Sequence, residues 1–183
     1  MTFADVLATV ITALDGAGVP YMVTGSLASS YHGEPRATRD VDIVIDPGPE
    51  SLERLVDGVL QAGFYIDRYV ARTALTERTQ FNAIGSDASK VDFIIRRDRP
   101  FSVEEFARRE PADLLGTAGF LTTAEDLILA KLEWANATGS ERQLRDVAGI
   151  VAIGHSIDED YIERWASVLG TADAWRKVRD AAR

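Results

Sequence analysis

Residues 40–46 (Asp-Val-Asp-Ile-Val-Ile-Asp) constrain the fold of this chain more than any other segment. Their β-branched content favours a strand. Because alternate side chains of a strand point to the same face, Asp40 and Asp42 project together while the Val and Ile residues between them face a core. Two ionised carboxylates side by side repel each other, and a divalent cation is the simplest way to stabilise them. We therefore expect a strand that carries a cation site on one face.

A second apolar segment, residues 90–96, carries the carboxylate of Asp92 between Val91 and Phe93. A carboxylate inside a hydrophobic run calls for a partner. One possible partner is a metal ion shared with the first strand, if the two strands are neighbours. The other is a salt bridge to Arg39 or Lys90.

Three aspartates on one sheet suit magnesium, which prefers oxygen ligands and shares its coordination shell with water and substrate phosphates. Two such ions can activate an attacking hydroxyl and stabilise a leaving pyrophosphate in an in-line displacement. The sequence therefore predicts Asp40, Asp42 and Asp92 as metal ligands, two Mg²⁺ ions as the cofactor, and a nucleoside triphosphate (NTP) as the substrate.

Gly25 and Ser26 lie where a short apolar strand, residues 21–24, meets a short helix predicted at residues 27–31. A strand-to-helix turn offers backbone N–H groups and a helix N-terminus to a phosphate, and the serine adds a hydroxyl. Glycine allows the phosphate to approach the backbone closely. We predict that Gly25 and Ser26 hold the triphosphate.

The remaining periodicity predicts an α/β (α+β) fold, with a mixed sheet first and helices second. Residues 1–100 are predicted to form a catalytic core and residues 101–183 a helical part packed on it as one compact unit. The predicted helices cover residues 3–16, 50–62, 102–109, 123–136, 141–153, 158–168 and 171–182, and the further strands cover residues 64–70, 79–84 and 90–96.

Composition excludes several classes of protein. The chain has no cysteine, which rules out disulfides and thiolate chemistry. A formal net charge of −9 argues against non-specific coating of nucleic acid. No run approaches the roughly 18 to 20 apolar residues of a membrane span, and the N-terminus does not resemble a secretion signal. A cytoplasmic protein without a membrane partner is expected.

Residues 23–28 (Val-Thr-Gly-Ser-Leu-Ala) followed by residues 36–43 (Arg-Ala-Thr-Arg-Asp-Val-Asp-Ile) resemble the Gly-Ser and Asp-x-Asp motifs of the DNA polymerase β superfamily of nucleotidyltransferases. More narrowly, the second stretch resembles small bacterial nucleotidyltransferases related to the AbiEii-type toxins of toxin–antitoxin and phage-defence systems. Residues 121–126, 131–134 and 142–147 are similar to that family's later lysine and aspartate motifs. The likeness covers about residues 20 to 153.

The resemblance implies a polymerase β-type mixed sheet flanked by helices and followed by a helical bundle. It also implies magnesium dependence and transfer of a nucleoside monophosphate from an NTP. It assigns Lys131 to a phosphate, and Asp146 to orienting Lys131 or assisting the acceptor. Some members of the group lack a third acid at the position of Asp92.

Several of these residues also have simpler interpretations. Lys131 lies on an apolar helix, where its stem could pack while the ammonium reaches water. Asp146 could pair with Arg142 four residues earlier on the same helix. Arg36 and Arg39 flank the acids, and we predict that they contact the nucleotide by bidentate hydrogen bonds rather than merely balance the carboxylates.

The predicted function is nucleotidyl transfer, with pyrophosphate release, to a hydroxyl of RNA or of a protein side chain. The resemblance alone implies the biological setting, a toxin–antitoxin or phage-defence system in which the protein is a toxin with a possible cognate antitoxin. One alternative is a catalytically weak nucleotide-binding or antitoxin module. The other is transfer to a small molecule of the aminoglycoside type, for which an acidic protein favours a cationic acceptor. The basic residues at 96–99 and 108–109 are either solvated faces or a local path for RNA.

Overall fold

Within residues 1–35, 40–153 and 156–182, which the computed structural model of the protein describes, seven strands form one mixed sheet. The strands are β1 (Tyr21–Thr24), β2 (Asp40–Ile45), β3 (Tyr65–Ile66), β4 (Gln80–Ile84), β5 (Lys90–Ile95), β6 (Glu110–Leu114) and β7 (Thr117–Leu121). Their order across the sheet is β3-β4-β5-β2-β1-β7-β6. The pairs β2 with β5 and β1 with β7 are parallel, and the other neighbours are antiparallel. The predicted mixed-sheet fold is confirmed.

The helices are α1 (Phe3–Ala17), α2 (Gly25–His32), α3 (Pro49–Gln61), α4 (Arg68–Glu77), α5 (Pro100–Ala107), α6 (Ala124–Thr138), α7 (Glu141–Ala152), α8 (Glu159–Leu169) and α9 (Ala172–Ala182). Helix α1 shows how local sequence sets such bounds. Thr2 and Asp5 form a reciprocal capping box at its start, and Gly18 ends it in the left-handed conformation. No helix in the described part of the chain has the length and apolar character that a membrane span requires.

The chain divides into two compact units. The first comprises Met1–Ser26 and Thr38–Leu121, and it contains the whole sheet with α1, α3, α4 and α5. The second comprises Leu27–Ala37 and Thr122–Arg183, and it contains most of α2 together with α6 to α9. The hairpin of β6 and β7 belongs to the first unit although it follows residue 100 in sequence.

The core of the first unit is built on one face of the central strands. Alternate residues of β2 and β5 are fully buried, namely Val41, Ile43, Ile45, Val91, Phe93 and Ile95. Burying one such side chain contributes about 1.5–3 kcal/mol. This burial fixes which face of β2 and β5 is left for polar residues.

The second unit has its own core. Helices α6 and α9 each pack against both α7 and α8. Its buried residues include Ile128, Leu132, Val147, Ile150, Ile162 and Trp175. Thr123 caps α6 by accepting a hydrogen bond from the Asp126 backbone N–H at 3.2 Å. The buried Asp126 carboxylate accepts a hydrogen bond from the Tyr161 hydroxyl at 2.6 Å, which ties α6 to α8.

The strand predicted over residues 64–70 is wrong in its second half. Only Tyr65–Ile66 is extended, and α4 begins at Arg68. The reason is local: the Asp67 carboxylate accepts hydrogen bonds from the backbone N–H groups of Tyr69 and Val70, which caps a helix. Arg72 of α4 then binds the Glu53 carboxylate of α3 through two nitrogens, at 2.6 and 3.0 Å.

The hairpin of β6 and β7 was not predicted, since residues 110–121 lack a regular apolar alternation. Its turn depends on Leu115 and Gly116, which both have positive φ. The Asp113 carboxylate accepts a hydrogen bond from the Gly116 N–H at 2.7 Å and closes the turn. Turn chemistry, rather than strand propensity, specifies this hairpin.

Candidate functional site

The alternation predicted for β2 is observed. Val41, Ile43 and Ile45 are buried on one face, while Asp40 is exposed and Asp42 half-buried on the other. Strand β5 is the parallel neighbour of β2, and its register places Asp42 beside Asp92. Neighbouring strands lie about 4.8 Å apart, so the Asp42 and Asp92 carboxylates are adjacent on one face of the sheet.

Sheet register extends this pair into a row of polar residues. Thr24 of β1 pairs with Asp42, and Asn82 of β4 pairs with Asp92. Paired residues on adjacent strands project to the same face, so Thr24, Asp42, Asp92 and Asn82 line up across four strands. Thr24 and Asn82 were not singled out from the sequence, because their place in the row follows only from the strand order.

Gly25 follows directly on Thr24 and is in contact with Asp42. Its φ of +64° lies in the left-handed region that favours glycine. A Cβ atom at this position would lie 1.9 Å from Oδ2 of Asp42, which is far inside van der Waals contact. The lack of a side chain at residue 25 therefore makes room for the Asp42 carboxylate, and Ser26 follows in the first turn of α2.

Lys90 occupies the same face of the sheet. It lies beside Asp40 in the β2–β5 register, two residues before Asp92 on β5. Its Nζ donates a hydrogen bond to Oδ2 of Asp92 at 2.8 Å. The hydrogen bond to Asp92 raises the pKa of Lys90; burial opposes this rise, and the charges of Asp92, Asp40 and Asp42 add to it. Of the partners that the sequence offered for Asp92, Lys90 is in contact with it, and Arg39 lies outside the described residues.

The chemistry of this cluster suits a cation. In the part of the chain that the structure describes, no group of three Asp, Glu or His side chains is arranged to hold a metal ion. The donors are nonetheless carboxylate oxygens, the ligand type that Mg²⁺ prefers. One of them, Asp92, already binds a positive group, the ammonium of Lys90. The residues therefore fit a cation site of the predicted kind.

Lys131 and Asp146 belong to the second unit, where they form an ion pair between α6 and α7. Nζ of Lys131 donates hydrogen bonds to Oδ2 of Asp146 at 2.8 Å and to Oε1 of Gln143 at 2.9 Å. Both charged side chains are largely buried, with exposed fractions of 6% and 9%. Gln143 was not identified from the sequence; its position three residues before Asp146 on the same helix is the signal that could have found it.

A pocket of about 380 Å³ adjoins this ion pair within the second unit. It is lined by Asp146, by Arg142 and Arg145 of α7, and by Ser29 of α2. The two arginines are exposed. Arg36 and Arg39, which we predicted to contact the nucleotide, lie outside the described residues.

Two arginines of the basic segments, Arg96 and Arg109, are engaged by other side chains. Arg96 donates to Asp46 at 2.9 Å and pairs with Asp98 at 3.1 Å. Arg78 pairs with the same two acids. Arg109 packs over the Phe106 ring, with its guanidinium carbon 4.4 Å from the ring centroid. These contacts neutralise or cover cations that the sequence left available to RNA.

No protein-family profile matches the sequence, and no curated protein matches it. Solved structures do. ANT(2″)-Ia in complex with adenylyl-2″-tobramycin is 14% identical with a TM-score of 0.62, and the match covers 92% of this chain and 97% of that one.

Two further structures agree. An antigenic nucleotidyltransferase-like protein from Paracoccidioides brasiliensis is 16% identical with a TM-score of 0.58, over 97% of this chain and 91% of that one. The lincosamide antibiotic adenylyltransferase LnuA is 11% identical with a TM-score of 0.57, over 84% and 99%. The chain therefore has the fold of nucleotidyltransferases, as predicted. The narrower relation to AbiEii-type toxins stays a prediction.

Proposed function

We propose that the protein is a magnesium-dependent nucleotidyltransferase, which transfers a nucleoside monophosphate from an NTP to an acceptor hydroxyl and releases pyrophosphate. One observation carries this proposal: the Asp42 carboxylate lies directly against Gly25 at the strand-to-helix turn and beside Asp92 on the next strand. A turn suited to binding phosphate and a pair of acids suited to binding a cation are thereby adjacent. The nucleotidyltransferase fold supports the same function.

Asp40, Asp42 and Asp92 would hold Mg²⁺, two ions in the full site. When bound, the metal neutralises phosphate charge and makes the acceptor hydroxyl more acidic. Backbone N–H groups at Gly25 and Ser26 bind the triphosphate and orient it for in-line attack. The acceptor oxygen forms a bond to the α-phosphorus as the bond from phosphorus to the pyrophosphate oxygen breaks. The hydroxyl proton passes to a carboxylate, for which we propose Asp92.

Arg36 and Arg39 contact the nucleotide, a role proposed from their position beside the acids. The resemblance supports the other roles, in which Lys131 contacts a phosphate. Asp146 is a positioning residue for Lys131, and the 2.8 Å contact between their side chains supports that assignment. It also gives Asp146 a partner other than Arg142.

Two kinds of acceptor are proposed. The resemblance favours RNA or a protein side chain, with the protein acting as a toxin that a cognate antitoxin restrains. A cationic small molecule is the second candidate, and charge favours it: the chain carries a net −9, and Arg78 and Arg96 are bound to acids. The tobramycin adduct held by ANT(2″)-Ia is a small-molecule product in a protein of the same fold.

The test is pyrophosphate release from each of the four ribonucleoside triphosphates, with and without Mg²⁺. The acceptors are total RNA, lysate protein and a panel of aminoglycosides. Asp42→Asn removes one carboxylate charge at nearly constant shape, and Asp160→Asn makes the same change at an exposed position of α8. We expect release that requires Mg²⁺ and falls at least about 100-fold in Asp42→Asn but not in Asp160→Asn. Nucleotide binding without release from any acceptor pool would instead identify a binding module.

A further inference from the structure

Asp92 is a largely buried carboxylate of the site and needs a counter-charge. Its side chain is only 13% exposed, and a buried carboxylate without a partner is costly. In the described structure the Lys90 ammonium is in contact with it, at 2.8 Å. Lys90 also lies next to Asp40 in the sheet register. The third carboxylate of the proposed metal site is thus already neutralised by a cation of the chain itself.

Lys90 is placed so that it can leave. Its side chain is 39% exposed, three times the exposed fraction of Asp92. A lysine ammonium is a compact, strongly hydrated charge on a flexible four-carbon stem, so it can exchange Asp92 for water without moving the strand. Ile84, which pairs with Lys90 in β4, is also exposed.

We propose that the Lys90 ammonium occupies the carboxylate site and binds Asp92 until a divalent ion displaces the ammonium. Because the two cations compete, Lys90 weakens the binding of the divalent ion. This inference rests on the proposed function, because it assumes that Asp40, Asp42 and Asp92 bind a divalent ion. A divalent ion that engages Asp92 must break the Lys90–Asp92 contact and, if the ammonium stays nearby, meets its repulsion. Lys90 is accordingly a residue that sets metal affinity, and it is not itself a metal ligand.

The prediction is that Lys90→Gln binds a divalent ion more tightly than the wild-type chain does. We expect the dissociation constant for Mn²⁺ to fall about five- to tenfold, because one positive charge near the ion is removed. Asp92→Asn alone should weaken Mn²⁺ binding because it removes a proposed ligand, and the double variant Lys90→Gln/Asp92→Asn should lose the gain. Lys177→Gln, the same change at an exposed position of α9, is the matched control.

Mn²⁺ binding is measured from the electron paramagnetic resonance signal of the free ion, with and without a non-hydrolysable NTP. This measurement does not depend on catalytic turnover. Unchanged or weaker binding in Lys90→Gln overturns the proposal. If Lys90→Gln does not fold, Lys90→Arg replaces it: a guanidinium can hold Asp92 through two hydrogen bonds, so Mn²⁺ should bind more weakly than in wild type, and tighter binding would refute the competition.

The two proposals fail separately. Magnesium-dependent pyrophosphate release together with equal Mn²⁺ affinity in wild type and Lys90→Gln rejects the role of Lys90 and leaves the nucleotidyltransferase intact. No Mn²⁺ binding and no release rejects both.

Discussion

At the scale of single residues, Gly25 has two independent reasons to be glycine. Its backbone is left-handed, at φ +64°, and the space that a side chain would take is filled by the carboxylate of Asp42. The first reason costs about 1–2 kcal/mol for any other residue. The second is steric, and it acts on a residue that we assign to the metal site.

Gly25→Ala and Gly18→Ala separate these two reasons. Gly18 has nearly the same φ, +65°, but nothing lies within 4 Å of a Cβ built on it. We expect Gly18→Ala to lower the free energy of unfolding only by the cost of a left-handed backbone at a non-glycine residue. Gly25→Ala should lower it by at least about 1 kcal/mol more, because the new methyl group displaces Asp42. Urea unfolding measures the difference.

The same pair of variants tests function. Pyrophosphate release should survive in Gly18→Ala and be lost in Gly25→Ala, even at temperatures where both are folded. Equal free energies of unfolding for the two variants would contradict the close contact between Gly25 and Asp42.

Residue patterns predicted the arrangement of Asp40 and Asp42 but left the surroundings of Asp92 undetermined. The alternation of Asp40 and Asp42 with buried β-branched residues required only the period of a strand. The juxtaposition of Asp42 and Asp92 required the register of β2 on β5, which the sequence does not contain. Lys90, two residues before Asp92 on the same strand, could be named as a partner from the sequence, and the structure places it in contact.

At the scale of elements, α6 and α7 are joined by a polar contact inside their interface. The Lys131 ammonium is bound by Asp146 and Gln143, and the ion pair is more than nine-tenths buried. Removing one partner of a buried pair costs about 3–5 kcal/mol, whereas replacing both often costs little. Stability and function can therefore be separated at this contact.

Lys131→Met should lower the free energy of unfolding by about 3 kcal/mol, because Asp146 is left buried without its counter-charge. The double variant Lys131→Met/Asp146→Leu should recover most of that loss. If Lys131 also binds a phosphate, the double variant will be stable and still fail to release pyrophosphate. A stable and fully active double variant would limit the pair to a structural role.

Elements were predicted well where one periodicity dominates and poorly where short-range contacts decide. Helix α1 was predicted to within a residue at its end, since its apolar stripe and its terminating glycine agree. Helix α4 was missed because its N-cap, Asp67, lies inside a segment with strand propensity. The β6–β7 hairpin was missed because a single carboxylate-to-backbone contact at Asp113 fixes its turn.

At the scale of the whole molecule, charge limits the acceptor. The chain is strongly acidic, and the cluster of Arg78, Arg96, Asp46 and Asp98 balances its own charges. Each phosphate contact made by a single-stranded nucleic acid adds about 0.7 to the slope of log affinity against log salt. Few such contacts are expected.

Binding of a fluorescent 20-nucleotide RNA should therefore weaken less than about tenfold between 50 and 200 mM salt, as expected for two or fewer phosphate contacts. Fluorescence anisotropy measures this. Asp98→Asn, which removes an exposed partner of both arginines, should steepen the salt dependence. A loss of 100-fold or more in the wild-type chain would show a basic RNA path and favour RNA as the acceptor.

The second unit is built from two separate segments of the chain, residues 27–37 and 122–183. This arrangement limits how recombination between related genes can replace the unit. Leu27 and Ala28 of α2 are buried and belong to that unit, and His32 contacts the Thr122 carbonyl oxygen at 2.7 Å through Nε2. A chimera with one crossover at residue 121 would combine α2 of one parent with α6 to α9 of another. Three crossovers, after residues 26, 37 and 121, are needed to move the unit whole, so recombination should transmit residues 27–37 and 122–183 as a linked pair.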